Sequence, residues 1–446
     1  MNIKFPWLIS RRKIITSCLA EIFFIIILNK YLLSDYLLFS SNIDLFTIIF
    51  TPFWLIFSYV FGRYSFDEKF FRNKKFILFL KLFFRTFIIA NLGICFVFVL
   101  SININLNNYN HFDQMIFLYS TYLSFFINIL QIPTNLYFIK NANKEEEWIF
   151  VGPIDVYNFL IQELKWSRRK IKITLKSNEF KFKSTKNITG ILFHEIDNEK
   201  LNKLFEFKKV GLKIYSSEKW CEYYLQKLPS EILTPQFLIN IDNKISDNSM
   251  QFRIKRIGDI FFSIFLFALS IPILIISCVL IFLEDGKACI YKQERIGKNQ
   301  KSFMIYKLRT MKVNAEKDQP QWASKTDDRI TGIGKFLRKS RLDELPQLFN
   351  VFIGDMSLIG PRPEREIFDS KLMKFIPKYK YRYFIKPGLS GWAQVNFPYG
   401  SSIEDSKNKF SYDIYYLRNF SIWLDFLILL KTIRIVILKR GSDPIR

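Results

Sequence analysis

Four long apolar runs crowd the first 144 residues, at about Ile14–Leu33, Leu45–Phe61, Phe76–Ile102 and Met115–Ile139. Each is close to the roughly 20 residues that an α-helix needs to cross a bilayer. Lipid offers the backbone no hydrogen-bond partner, so such runs are restricted to helices. The loops then set orientation. Arg11, Arg12 and Lys13 precede the first run; Arg63, Lys69, Arg72, Lys74 and Lys75 separate the second from the third; Lys140 and Lys144 follow the fourth. Lys81 and Arg85 fall in the first turns of the third, whose apolar core is expected from near Thr86. Ser34–Asp44 and Asn103–Gln114 hold neither Lys nor Arg. This asymmetry puts both ends of the unit on the cytoplasmic side. Lys30 is the one misplaced cation and is expected to snorkel. Glu21, inside the first run, reads as a tolerated residue paired with another helix rather than a functional group. The length of that run, with Glu21 in it, argues against a cleaved signal peptide.

Charge rises at Lys144-Glu-Glu-Glu147, and strand-like stretches then alternate with helical ones. Trp148–Val151 ends in Gly152-Pro153; Lys172–Leu175, Ile191–Ile196 and Leu212–Ser216 follow, with helical runs to Leu164, over Asn198–Phe207 and over Ser217–Lys227. Strands alternating with helices predict a small parallel sheet. A dinucleotide fingerprint would need G-x-G-x-x-G after the first strand. Only Gly152 stands there, so a structural or regulatory role is expected for residues 145–250, with Asp242–Gln251 as a linker.

Residues 251–446 carry 34 Lys and Arg against 19 Asp and Glu, within a chain of net charge +25 in which half the residues are hydrophobic. Such a balance suits a membrane protein facing anionic lipid or an enzyme for phosphorylated substrates, with nucleic acid as the rival. No aromatic interleaving marks a base-stacking platform, which argues against nucleic acid. The stretch opens on Lys255-Arg256 and runs into 23 uncharged residues, Phe261–Leu283. Pro272, close to Ser270, would kink or break a helix there. Both flanks are basic, so a simple span would put one cluster on the wrong face. A re-entrant helix over about 256–283, bent at Ser270 and Pro272, satisfies both observations. The last apolar run, Ile422–Leu438, is interrupted by Asp425, Lys431 and Arg434 and reads as an amphipathic helix on the membrane surface. Both histidines, His111 and His194, precede this half, so its chemistry falls to carboxylates, Lys, Arg and Tyr. The five cysteines form no CxxC pair, which indicates neither a zinc site nor a disulfide framework.

The strongest chemical signal is Arg338-Lys-Ser-Arg-Leu-Asp343-Glu344-Leu-Pro346, running on to Gly360-Pro-Arg362-Pro. An isolated Asp-Glu beside cations is usually a solvated helix end. Pro346, however, predicts a new helix, which places both carboxylates just before its N-terminus. That setting keeps a carboxylate ionised and draws phosphate. Neighbouring residues point different ways, so the two acids can hold separate roles.

Residues 253–440 resemble the bacterial sugar transferases, the polyprenyl-phosphate hexose-1-phosphate transferases. The resemblance rests on Lys255-Arg-x-x-Asp259, the Ser/Pro insert, Gln293-x-Arg295-x-Gly, Tyr306-Lys307-x-Arg309-Thr-Met311, Arg338 to Gln347, Gly354-x-Met-Ser-Leu-x-Gly-Pro-Arg-Pro363 and Lys386-Pro-Gly-x-x-Gly-Trp-Ala-Gln-Val. It implies a membrane protein of mixed class. A four-helix transmembrane anchor (1–144) is followed by a degenerate Rossmann-like α/β module with linker (145–250). A mainly α, monotopic transferase domain (251–446) completes the chain. The implied reaction moves hexose-1-phosphate from a UDP-hexose to undecaprenyl phosphate and releases UMP, the first membrane step of exopolysaccharide, capsule or O-antigen synthesis. Asp343 would form an aspartyl-phosphosugar, Glu344 would hold Mg²⁺, Arg338 would bind phosphate, and Arg362 would help in the nucleotide pocket. Arg295, Lys307 and Arg309 complete the expected substrate contacts. The location implied is the bacterial inner membrane, with catalysis on the cytoplasmic face and a homodimer left open. Two departures stand out. Arg341 replaces the usual Ser or Thr before Leu-Asp-Glu, and Asn396 is followed by Phe-Pro-Tyr-Gly400 in place of Gly-Arg. No nucleotide contact is assigned in that loop. The rival readings are a glycosyltransferase releasing UDP and a non-enzymatic scaffold of a polysaccharide export complex. Which hexose is carried is not legible; glucose and galactose lead.

Overall fold

The computed structural model describes residues 11–32, 40–64, 75–100, 112–142, 145–165, 170–175, 188–209, 211–242, 249–313, 315, 327–397 and 402–437. Lys69, Arg72, Lys74, Lys144, His111, the loop 101–111, most of the linker and positions 398–401 lie outside them. Packing divides the chain into two compact units, one centred on Leu8–Glu146, the other on Glu147–Ser167 and Ile173–Arg446.

In the first unit all four apolar runs are helices: α1 (Arg12–Leu32), α2 (Ser40–Val60), α3 (Lys75–Leu100) and α4 (Phe112–Ala142). α1, α3 and α4 are long and apolar enough to cross a membrane, and α2 carries a shorter apolar stretch, Asp44–Val60. Phe50, Trp54, Ile89, Ile94, Leu123 and Ile127 pack inside, while Phe23, Ile48, Phe84 and Phe125 point outward. Apolar residues on both sides of a helix bundle are what lipid rather than water permits. Glu21 is buried and paired, as its sequence context suggests. Its Oε1 meets Arg63 Nη2 at 2.7 Å, and its Oε2 accepts from Arg63 Nη1 (2.8 Å), Trp54 Nε1 (3.0 Å) and Tyr64 Oη (2.9 Å). Counting Arg63 as a loop cation needs correcting. The turn after α2 folds it back under the bundle, where it is fully buried and Gln131 holds both its Nε and its carbonyl.

The second unit begins with a four-stranded sheet, β1 (Glu146–Val151), β2 (Ile171–Leu175), β3 (Ile188–Phe193) and β4 (Lys213–Ser216), in the order β2-β1-β3-β4. β3 runs parallel to both β1 and β4. Helices α5 (Ile154–Lys165), α6 (Asn198–Lys209) and α7 (Ser217–Tyr224) connect or follow the strands. Gly190 lets β3 close on its neighbour, since a Cβ there would lie 2.3 Å from the Lys213 carbonyl. At the carboxyl ends of β1 and β3, His194 donates its backbone N–H to the Val151 carbonyl (3.0 Å) and its Nδ1 lies 2.5 Å from Ser217 Oγ.

After α8 (Pro235–Asp242) comes α9, a single helix from Met250 to Asp285 that continues through Pro272. Its composition is inside out. Phe261, Phe265, Leu269, Ile275, Phe282 and Leu283 are exposed, whereas Asp259, Ser263, Ser270 and Ser277 are buried. The apolar surface therefore faces away from the protein, and α9 too is long and apolar enough to cross a membrane. Its first turns are anchors. Lys255 donates to the Ile359 carbonyl (2.9 Å) and pairs with Asp425 (2.6 Å), Asp259 accepts from Leu358 N (3.0 Å), and Arg256 binds the Val351 and Phe352 carbonyls, both at 2.7 Å. Those two carbonyls end a helix, where a cation complements the dipole.

The remaining elements are the hairpin β5 (Ile290–Ile296) and β6 (Ser302–Leu308), α10 (Gly332–Ser340), α11 (Gln347–Ile353), β7 (Ser357–Ile359), α12 (Glu366–Phe375), β8 (Gly388–Ser390), α13 (Trp392–Asn396), α14 (Ile403–Arg418) and α15 (Ile422–Ile437). β7 and β8 form a separate parallel pair. On α15 the charge that seems to interrupt the apolar run turns inward. Asp425 accepts from Lys255 and from Tyr416 Oη (2.6 Å), while Trp423, Phe426 and Val436 stay exposed.

Candidate active site

Asp343 and Glu344 sit on a one-turn 3₁₀ helix, Leu342–Glu344, between α10 and α11. The expected helix follows directly, with Pro346 as the cap before Gln347. α10 is fixed at both ends. Its first N–H, from Gly332, donates to Glu284 on α9 (2.8 Å), and Thr331 caps Gly334 N (3.0 Å). Gly334 presses on Thr310, whose carbonyl oxygen would lie 2.2 Å from an added Cβ. Arg338, at the far end of α10, donates its Nε to Thr310 Oγ1 at 2.8 Å. The chain then reverses at Arg341, a non-glycine residue in the left-handed region (φ 60°). Such a conformation costs on the order of 1–3 kcal/mol and persists where the surroundings impose it.

The two carboxylates are almost equally buried, at 9% and 8% exposed, yet differ in company. Glu344 Oε1 meets Arg362 Nη2 at 2.5 Å and Lys307 Nζ at 3.5 Å, and Oε2 lies 4.0 Å from Arg341 Nη1. Burial works against its ionisation, but Arg362, Lys307 and Arg341 overcome that and hold it well below the usual carboxylate range. Asp343 has a buried Oδ1 with no hydrogen-bond partner among the described residues. Burial, reinforced by the neighbouring Glu344 charge, pushes Asp343 up to about 6. A uniformly ionising environment for both acids, expected from the helix N-terminus, is thus found for Glu344 alone. Burial outweighs the cations at Asp343. Lys307 is pushed down to about 8 by burial, with Arg362 and Arg295 acting in the same direction and Glu344 and Asp343 opposing.

The other predicted residues divide. Arg295 lies against the 360s loop, donating to the Pro363 carbonyl (3.3 Å) and to Gln293 (2.7 Å). Arg309 is directed to the end of α9, where it pairs with Asp285 at 2.5 Å. Ser270 and Pro272 stand on α9; Ser270 Oγ donates to the Phe267 carbonyl at 2.8 Å.

Beside the Glu344–Arg362 pair opens a cavity lined by four cations, Arg341, Arg362, Arg382 and Lys409, against two acids, Glu364 and Asp413, with Tyr379, Gln394, Phe397 and Phe410 among the rest of the lining. Arg382 is the brace of this wall. It donates to the Arg362 carbonyl (2.7 Å) and to Tyr379 Oη (2.7 Å) and pairs with Asp413 (3.1 Å). Gln394 Oε1 is buried without a hydrogen-bond partner among the described residues. Sequence reasoning reached Gln394 only as a letter in the Gly-Trp-Ala-Gln motif and missed Arg382, Lys409 and Asp413. The signal for the last two lies in α14, where Ser406, Lys409, Phe410 and Asp413 recur at helical spacing.

A group of half-buried cations around one carboxylate they hold ionised and a second whose ionisation burial disfavours, opening on a cavity with four cationic side chains, can bind and neutralise a diphosphate. Residues 250–439, which hold every group named in this site, match the family described as bacterial sugar transferase. The chain is 46% identical over 189 residues to the UDP-N-acetylgalactosamine-undecaprenyl-phosphate N-acetylgalactosaminephosphotransferase of Aeromonas hydrophila, covering 42% of this chain and 45% of that one. It is 37% identical over 211 residues to the UDP-glucose:undecaprenyl-phosphate glucose-1-phosphate transferase of Klebsiella pneumoniae, with 47% and 45% covered. A Caulobacter vibrioides protein of the same name is 39% identical over 181 residues, with 40% and 68% covered. The chain thus spans less than half the length of the first two relatives and about two-thirds of the third. On these matches the chain belongs to the bacterial sugar transferase family.

Proposed function

We propose that the protein transfers a sugar-1-phosphate from a UDP-sugar to undecaprenyl phosphate and releases UMP. The observation that carries this reading is the unequal pair, with Glu344 locked among Arg362, Lys307 and Arg341 while Asp343 Oδ1 stays buried and unpartnered. Asp343 is the nucleophile. Its Oδ1 forms a bond to the sugar-bearing phosphorus, the bond from that phosphorus to the bridging oxygen breaks, and UMP departs with the electron pair. An oxygen of the lipid phosphate then attacks the same phosphorus and displaces Asp343. Phosphoryl transfer needs alignment and charge neutralisation more than a strong base. With a carboxyl near 6, Asp343 is largely ionised at neutral pH yet sheds its charge readily on bonding.

Among the described residues no three His, Cys, Asp or Glu side chains are grouped to hold a metal. Mg²⁺ commonly takes one or two carboxylates together with substrate phosphates and water, and the Glu344 carboxylate, held in its ionised form, fits that donor set. Bound there at Glu344, the ion would neutralise diphosphate charge. The cavity lined by Arg341, Gln394 and Lys409 takes the nucleotide, with Arg362, braced by Arg382, between it and Glu344. Arg338, Arg295 and Lys307 complete the phosphate field, and a substrate role for Arg309 would require it to leave Asp285.

The chain divides into an anchor (1–144), a degenerate Rossmann-like module (145–250) and the transferase (251–446). α9 enters and leaves the membrane on the cytoplasmic face, bending at Pro272, which keeps both basic flanks on one side. The higher identity to the N-acetylgalactosamine protein than to the glucose proteins moves the donor preference toward a UDP-N-acetylhexosamine and away from glucose. The test is nucleotide release from purified protein, Mg²⁺, undecaprenyl phosphate and a panel of UDP-sugars, with UMP and UDP assayed separately. UMP from one donor, lost in Asp343→Asn, is expected. UDP as the product, or UMP release that survives the substitution, would overturn the reading.

A further inference from the structure

Among the described residues the α/β module meets the transferase through Glu222 of α7, which accepts from Asn419 Nδ2 at 2.9 Å and lies 3.8 Å from Arg418 Nε, and through the short segment Gln226–Leu228 immediately after α7. Gln226 adopts a left-handed conformation (φ 56°), its N–H closing onto the Cys221 carbonyl, and its own carbonyl accepts from Trp392 Nε1 at 3.0 Å. Leu228 N donates to the Ser411 carbonyl at 2.8 Å. Between them Lys227 is buried, paired with Glu163 of α5, donating to Asn408 Oδ1 (3.2 Å) and lying 5.9 Å from the centre of the Tyr412 ring. Trp392 opens α13, and Asn408, Ser411 and Tyr412 belong to α14. These two helices supply Ala393, Gln394, Lys409 and Asp413 to the wall of the basic cavity. The module therefore grips the back of the helices whose other face lines the pocket.

We infer that Gln226–Leu228 is a positioning element for the donor pocket, and that the module sets nucleotide affinity through it. The inference rests on the donor-pocket reading above. No residue of the segment lines the cavity, so its effect passes through α13 and α14. Lys227 links α5 of the module to α14, because Glu163 lies on α5 while Asn408 lies on α14. Any displacement of α5 is thereby communicated to the wall carrying Lys409.

The test uses the full chain in lipid nanodiscs with UDP-sugar, undecaprenyl phosphate and Mg²⁺. The double variant Glu163→Gln/Lys227→Met removes the pair without leaving a buried charge alone. Its KM for the UDP-sugar is expected to rise about five- to tenfold, the loss of one positioning hydrogen bond. kcat and the KM for undecaprenyl phosphate stay within about twofold, because donor binding is weakened equally in the ground and transition states. Lys227→Arg, which can keep both partners, is expected to retain the wild-type KM. Asn408→Ala cuts the α14 side alone and is expected to reproduce the double variant, which guards against a folding defect in either. An unchanged donor KM, or an equal loss in kcat and both KM values with a lowered melting temperature, overturns the inference and marks the contact as merely structural. Failure of the parent reading is distinguishable, because wild-type protein would then release no UMP at all.

Discussion

Two of the Glu–Arg pairs among the described residues, Glu21–Arg63 and Glu344–Arg362, are built to opposite ends. In the bundle, Glu21 Oε2 accepts from Arg63, Trp54 and Tyr64, Oε1 meets Arg63, and Gln131 completes the arginine. In the transferase, Glu344 is shared among Arg362, Lys307 and Arg341, and an unpartnered carboxylate oxygen stands one residue away. The first pair has as many donors as its acceptors can use. The second has more cations than its own anion needs, next to an anion that burial penalises. Pairing satisfied on all sides marks a structural clamp, whereas a surplus of one charge beside a strained group marks a place for substrate.

The largest effect should come from breaking the strained member. Asp343→Asn is expected to lower turnover by about 10⁴-fold or more, as loss of a covalent nucleophile does. Stability should move the other way. A carboxyl raised to about 6 from an unfolded value near 4 contributes stability that is lost as pH rises through that window, because the buried ionised form is disfavoured. The Asn variant should therefore melt higher than wild type at pH 7.5 and close to it at pH 4. A lower melting temperature at both pH values would show that Asp343 is a stabilising group and not a strained one.

The clamp should respond in reverse. Arg63→Met leaves Glu21 buried without its cation, which typically costs about 3–5 kcal/mol. The expected result is a large fall in melting temperature with turnover per folded molecule unchanged. The double variant Glu21→Gln/Arg63→Met should recover much of the loss. No recovery would show that Trp54, Tyr64 and Gln131, rather than the opposed charges, carry the interaction.

These two sites were unequally legible in the sequence. The four apolar runs, the strand–helix alternation of the module and the Pro346 helix follow from local patterning, so the structure has them close to where periodicity puts them. The destinations of long cations do not. Arg63 and Arg309 read as a loop charge and a substrate ligand because sequence shows that a guanidinium is near a motif, not which carboxylate it reaches. One lies under the bundle on Glu21; the other holds Asp285 at the end of α9. Arg382 was invisible for a related reason. Tyr379 shares a 3₁₀ helix with it, Tyr379–Phe384, but Arg362 and Asp413 reach it only when that helix packs against the 360s loop and α14. The unpartnered Asp343 oxygen is likewise a tertiary fact, since burial and the Glu344 charge raise its carboxyl against the pull of every nearby cation.

A pH profile sharpens the comparison further. If Asp343 must be ionised and Lys307 charged, kcat/KM should rise through about 6 and fall through about 8. Lys307→Arg should displace the alkaline limb upward and leave the acid limb in place, since arginine does not lose its proton in this range. An alkaline limb that stays near 8 in the variant would assign it to another group.

The smallest effect is expected at Arg309, and it separates tether from ligand. The guanidinium faces Asp285, whose side chain is 29% exposed, so the pair is partly screened and should contribute on the order of 1 kcal/mol or less. If Arg309 only ties the end of α9 to β6, Arg309→Gln and Asp285→Asn should lower stability equally. The double variant should add nothing, and the KM for the donor should stay within about threefold for each, given so small an energy. If Arg309 leaves Asp285 for a substrate phosphate, the two substitutions part company. Arg309→Gln would raise KM by about tenfold or more, as the loss of a charge-assisted bond does. Asp285→Asn, by freeing the arginine, would lower it. The same motif residue would then belong with the surplus cations around Glu344, and the boundary between clamp and site would move by one side chain.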